Sequence, residues 1–131
     1  MDLDVVVIDD DAVVLFLHKV LIQKSSLPSR VYDFLNAADA LDFIKEEPAN
    51  HHLLIFLDIN MPDVNGWDFL DHLEQLNYPK QIFVVMVTSS INRSDKKKAE
   101  QFPLVIDYRE KPLSKQACED IYIKLLPLLK S

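Results

Sequence analysis

Five residues of this chain have the types and positions that suit one kind of chemistry: Asp9, Asp10, Asp58, Thr88 and Lys111. Each stands where a short apolar run stops. The run 5–8 ends in Asp9-Asp10-Asp11, the run 53–57 in Asp58, and the run 82–87 in Thr88-Ser89-Ser90; the run opened by 104–106 reaches Lys111-Pro112. Carboxylates brought together repel one another and resist ionising together. A hard divalent cation relieves that repulsion, and Mg²⁺ suits such a set, since it prefers oxygen donors, takes one or two carboxylates and keeps several waters. Asp10 and Asp58 are the candidate direct ligands. Asp9 is placed to hold a metal-bound water, and the backbone carbonyl of Asn60, two residues past Asp58, can reach the same ion. A carboxylate nucleophile, Mg²⁺, an ammonium at Lys111 and a hydroxyl at Thr88 are the parts needed for phosphoryl transfer to a carboxylate. Read alone, Asp58 suits a helix cap equally well; the set as a whole gives it chemical meaning.

These side chains can meet only if the apolar runs are strands of one sheet. Runs rich in Val, Ile, Phe and Leu suit strands buried on both faces. Strands are predicted at 5–8, 31–34, 53–57, 82–87 and from 104 toward Lys111. Helical patterns fall between them at 12–24, from 37 to before Pro48, at 67–76, at 93–100 and at 115–129, with Asn36 and Ser114 as caps. The expected inward residues are Val14, Leu17 and Leu21 on the first helix, and Ala37, Ala40, Leu41 and Ile44 on the second. Leu70 and Leu73 follow on the third, and Ile121, Leu125 and Leu128 on the last. That phase turns Leu15 and Phe16 partly outward on the first helix, as a docking surface for a partner. Met61-Pro62 keeps the third strand from running straight into a helix. Gly66, the only glycine, is expected to supply an unusual backbone angle before the third helix.

Strands alternating with helices call for a parallel sheet covered on both faces, with right-handed crossovers. Five strands fit the flavodoxin-like order 2-1-3-4-5, a doubly wound (βα)5 three-layer α/β sandwich. Its switch point lies between strands 1 and 3, where Asp9, Asp10 and Asp58 stand. The chain's 131 residues fit one domain. A net charge of −7 argues against direct nucleic-acid binding. No apolar run is long enough to cross a bilayer, and Asp2 and Asp4 spoil a basic leader. Cys118, the single cysteine, fits a reducing cytoplasm. The last helical pattern ends close to residue 131, so no output domain is expected.

With these residues in order, the chain resembles the receiver domains of two-component response regulators. The shared marks are Asp9-Asp10, Asp58 within LDINMP, Gly66, Thr88 followed by a small residue, and Lys111-Pro112. LDINMP and GWDFL look closest to small stand-alone, chemotaxis-type regulators. The resemblance implies that Asp58 takes a phosphoryl group from a histidine on a kinase or a phosphotransfer protein. It implies that the domain catalyses only its own phosphorylation and dephosphorylation, with Mg²⁺ as cofactor. It places a cis bond at Lys111-Pro112 and makes Thr88 and Tyr108 a switch that signals to a downstream protein through helix 4, strand 5 and helix 5. Asn60 and Ser90 flank the path of an attacking water and are expected to tune the phosphoryl lifetime. Neither nucleic acid nor membrane is implied as a partner.

Plainer roles stand beside these. Asp11 suits the first turn of helix 1. Arg93, Lys96, Lys97 and Lys98 suit a solvated helix face, or a dock for an acidic partner. His51 and His52 have no matching ligand cluster in the sequence, Cys118 has no partner base, and Trp67 and Phe69 suit packing. Four other functions compete: a shuttle in a multistep phosphorelay, an aspartate-nucleophile phosphatase, a flavin mononucleotide binder and a phosphorylation-independent adaptor, the last disfavoured because no member of the acid, threonine and lysine set is missing. The phosphatase lacks its second acid, because Asn60 stands two residues after Asp58. The flavin binder needs a phosphate loop where Asp9-Asp10-Asp11 repels phosphate.

Overall fold

The five runs form one parallel sheet, the three central ones buried on both faces and the two at its edges partly exposed. A computed structural model describes residues 3–46, 51–61, 65–78, 81–89 and 91–129; Pro48, Pro62 and Ser90 lie outside them. The elements in chain order are β1 (Leu3–Ile8), α1 (Ala12–Gln23), β2 (Val31–Phe34), α2 (Ala37–Glu46), β3 (His52–Asp58), α3 (Gly66–Gln75), β4 (Ile82–Thr88), α4 (Arg93–Ala99), β5 (Val105–Glu110) and α5 (Lys115–Leu125), which runs into a 3-10 turn (Leu126–Leu128). The sheet order is β2-β1-β3-β4-β5, as the alternation predicts.

Side chains alternate across the sheet. Val5, Val7, Leu54, Phe56, Val85 and Val87 pack with Leu15 and Ile22 of α1 and Ile121 and Leu125 of α5. Val6, Ile8, Ile55, Leu57, Val84 and Met86 pack on the other face, with Ala40 and Ile44 of α2, Phe69, Leu70 and Leu73 of α3, and Ala99 of α4. The result is a three-layer sandwich with α1 and α5 on one side and α2, α3 and α4 on the other.

Capping follows the sequence signals. The Asn36 and Ser114 side chains accept the Asp39 and Ala117 N–H groups at 2.8 and 3.0 Å. Asp11 is the N-cap of α1, accepting the Val13 and Val14 N–H groups at 2.9 and 3.3 Å, so it serves the helix one position before the first turn.

Three expectations are corrected. In α1 the buried residues are Leu15, His18 and Ile22, one position on from the expected stripe. Leu15 is therefore core, while Phe16 is 69% and Val13 77% exposed. In the last helix, Leu128 is exposed because α5 gives way to the 3-10 turn at Leu126, which rotates it off the inner face. Gly66 has no positive φ. Its lack of a side chain matters for a different reason: a Cβ there would stand 2.8 Å from the Ile59 Cα and 2.9 Å from the Asp58 carbonyl oxygen. Ile59 lies against the start of α3, with the Gly66 N–H donating to the Ile59 carbonyl at 2.9 Å.

Candidate functional site

Strand register brings the acids level. Ile8 lies opposite Leu57, so the next residues, Asp9 and Asp58, leave the sheet side by side. Both carboxylates are buried. Thr88 ends β4 opposite Glu110 of β5, and Lys111 follows one residue on. The Lys111 N–H donates to the Thr88 carbonyl at 2.6 Å, and the Lys111-Pro112 bond is cis, as the resemblance implies. The Lys111 Nζ lies 2.7 Å from Asp9 Oδ2 and 3.3 Å from Asp58 Oδ2.

The other oxygen of each acid meets the main chain. Asp9 Oδ1 accepts the Asp11 N–H at 2.9 Å, and Asp58 Oδ1 accepts the Asn60 N–H at 3.2 Å. Burial raises the pKa of Asp58 above the usual carboxylate value. The Asp9 charge raises it further, while Lys111 and the Asn60 N–H pull it back. For Lys111, burial alone favours the neutral amine, but its contacts with Asp9 and Asp58 outweigh burial and raise its pKa.

Asp9, Asp10 and Asp58 each present a carboxylate oxygen within 4.8 Å of the others, with Asp10 exposed and the other two buried. Hard oxygen donors around an opening to solvent fit a hydrated Mg²⁺. The lysine paired to two of the three acids already offsets part of their repulsion, a contact that the linear order of the strands does not reveal.

Thr88 and Tyr108 share the α4 side of the sheet. Tyr108 lies opposite Met86, diagonal to Thr88. The Tyr108 hydroxyl is already buried and makes no well-formed hydrogen bond. Burial raises its pKa, the Asp95 carboxylate raises it further, and a polar contact with Thr88 pulls it back. The ring packs among the side chains on that face of the sheet.

The remaining named residues have local partners. Trp67 stacks on Phe102 with centroids 5.9 Å apart, and the Lys98 ammonium lies 4.6 Å over the Trp67 ring, so one member of the basic run is engaged in packing. Arg93, Lys96 and Lys97 are exposed. His51 Nδ1 lies 2.9 Å from the buried Asp4 carboxylate, and His52 Nδ1 accepts the Gln81 N–H at 3.0 Å, both at the opposite end of the sheet from the acids. Burial pushes the Cys118 thiol up to about 11, which leaves little thiolate at neutral pH. His18 is the residue that the sequence reading passed over. It is buried on α1 and its Nε2 accepts the Leu113 N–H at 3.1 Å, just past Lys111-Pro112. The available signal was a histidine three residues after Leu15 and four before Ile22, on one helical face.

The flavodoxin-like sheet thus carries three acids and a lysine ammonium together at its switch point. The chain belongs to the response regulator receiver domain family, whose model matches residues 5–122. Among solved structures it is similar to a two component response regulator from Cytophaga hutchinsonii, at 31% identity and a TM-score of 0.82, covering 95% of this chain and 97% of that one. It is also similar to a response regulator receiver protein from Dyadobacter fermentans, at 30% identity and a TM-score of 0.79, covering 95% and 94%. The chemotaxis protein CheY4 of Vibrio cholerae shares the fold at 18% identity and a TM-score of 0.74, covering 99% and 100%. No curated protein matches the chain by sequence. Among the described residues, no helix is long and apolar enough to cross a membrane.

Proposed function

We propose that this domain accepts a phosphoryl group on Asp58 from a phosphohistidine of a kinase or a phosphotransfer protein, and signals by changing what its α4–β5–α5 face binds. The observation that carries the reading is the convergence of Asp9, Asp10, Asp58 and the Lys111 ammonium at the switch point.

An oxygen of ionised Asp58 attacks phosphorus, a P–O bond forms, the P–N bond to the donor imidazole breaks, and the imidazole leaves with a proton from solvent. Asp10, Asp58 and the Asn60 carbonyl would hold Mg²⁺, with Asp9 placed to hold a water on it, and the ion would supply neutralisation of the phosphoryl charge. Lys111 stands beside both acids, where its ammonium can turn from Asp9 to the incoming oxygens. Thr88 offers its hydroxyl to one of those oxygens, and doing so competes with its contact to Tyr108. Tyr108 and α4 then take a new arrangement, driven by tighter phosphate contacts in one state than in the other.

The donor protein docks on the start of α1. Val13, Phe16 and Leu17 are exposed apolar residues just beyond Asp9-Asp10 and within a turn or two of the site. The domain works in a reducing cytoplasm and turns over no substrate other than its own phosphoryl group. Acetyl phosphate with Mg²⁺ should label the wild-type protein and leave Asp58→Asn unlabelled while that variant stays folded. Undiminished labelling of Asp58→Asn sinks the assignment. Onward transfer from labelled protein to a second histidine protein places the domain inside a multistep relay instead of at its end.

A further inference from the structure

Lys111 serves the site only while its ammonium is held within reach of Asp9 and Asp58, and its stem leaves the main chain in the turn 111–113. Pro112 has no N–H, so this turn has two main-chain donors. The Lys111 N–H donates to the Thr88 carbonyl and ties the turn to β4. The Leu113 N–H donates to His18 Nε2 at 3.1 Å and ties the turn to α1. His18 and Leu113 are 1% and 3% exposed, so water has no access to replace the imidazole.

We propose that His18 is a positioning residue for phosphoryl transfer at Asp58: through the Leu113 N–H it holds the 111–113 turn against α1, and so holds the Lys111 ammonium at the two carboxylates. The inference rests on reading Asp58 as the phosphoacceptor. A leucine at position 18 would complete the stripe of Leu15 and Ile22 and serve packing alone equally well. What leucine lacks is an acceptor. The Leu113 N–H fixes the tautomer, with the lone pair on Nε2 and the proton on Nδ1. Burial keeps the ring neutral by lowering its pKa; the Asp9 charge opposes this and the Lys111 charge reinforces it.

The test compares wild type, His18→Leu and His18→Gln, whose amide oxygen can still accept the Leu113 N–H. Two quantities are read: the rate of Asp58 labelling by acetyl phosphate at saturating Mg²⁺, and the titration of Lys111 followed by carbon-13 NMR of labelled lysine in the presence of chelator. In His18→Leu, labelling should slow by about tenfold or more, the scale expected when a reacting-site charge is misplaced. The Lys111 titration should move back toward the ordinary lysine value. His18→Gln should recover both. If His18→Leu does not fold, His18→Asn replaces it, with an amide one carbon too short to reach Leu113. Wild-type rates and an unchanged Lys111 titration in the leucine or asparagine variant overturn the proposal, as does a glutamine variant no better than leucine. A wild-type protein that accepts no phosphoryl group defeats the Asp58 reading, and the Lys111 titration then decides the positioning role by itself.

Discussion

Asp58 must ionise in a place that opposes ionisation. It is buried, and Asp9 stands beside it. For a carboxylate whose pKa is higher in the folded than in the unfolded state, the unfolded chain loses its proton first. Stability therefore falls as pH rises between the unfolded and the folded pKa, and the loss is complete above the folded value. Without metal, Asp58→Asn should melt at a higher temperature than wild type at neutral pH. The difference should close as pH falls through the ordinary carboxylate range. Lys111, 2.7 Å from Asp9 in the wild-type protein, should keep that partner in the variant. Melting curves in chelator across that range check this, and a difference that does not vary with pH would contradict it. Gly66 is the second residue with a sharp consequence. Gly66→Ala drives a Cβ into the backbone of Asp58 and Ile59. It should cost about 1–3 kcal/mol, the scale of overpacking. A urea midpoint lowered at unchanged slope would show that cost. That Gly66 matters was legible from its being the only glycine; the reason was not, because the crowding comes from Asp58 and Ile59, eight and seven positions earlier.

At the scale of elements, α1 was the hardest to phase. Residues 12–17 are all apolar, and 20–22 are again. Stripes through Val14, Leu17 and Leu21 or through Leu15 and Ile22 therefore fit the same stretch. Packing against α5 and the turn after Lys111 selects the second, and it carries His18 inward to Leu113. The other helices were legible because polar residues mark their outer faces and Asn36 and Ser114 mark two of their starts. The phase has a direct test. Leu15→Ala should destabilise by about 2–5 kcal/mol, as truncation of a buried leucine does. Phe16→Lys should leave stability within about 0.5 kcal/mol. It should slow transfer from a phosphorylated kinase or phosphotransfer protein and leave acetyl phosphate labelling unchanged, since the small donor needs no docking. Equal slowing with both donors would place Phe16 in the site or the fold instead of the docking surface.

For the whole molecule, the sheet order was legible because strands alternate with helices and five strands fit 2-1-3-4-5, which puts Asp9 and Asp58 on adjacent strands at the switch point. The Lys111–Asp9 pair was not legible, since it depends on side-chain reach past the ends of β4 and β3, from the end of β5 to the end of β1. On the proposed reading the gathered acids bind Mg²⁺ in the folded state and not in the unfolded one. Mg²⁺ should therefore raise the melting temperature by mass action, by about 2.7 kcal/mol of stability at a hundredfold excess over its dissociation constant. Asp10→Asn should lose most of that gain; an undiminished gain would place the ion elsewhere. The central claim, that Asp58 carries the phosphoryl group, is tested most directly by trapping the product. Borohydride converts an aspartyl phosphate to homoserine, and peptide mass spectrometry locates it. After acetyl phosphate and Mg²⁺, homoserine should appear at position 58, and only when both are supplied. Homoserine at position 9 or 10, or a phosphoryl group that survives borohydride, would contradict the account.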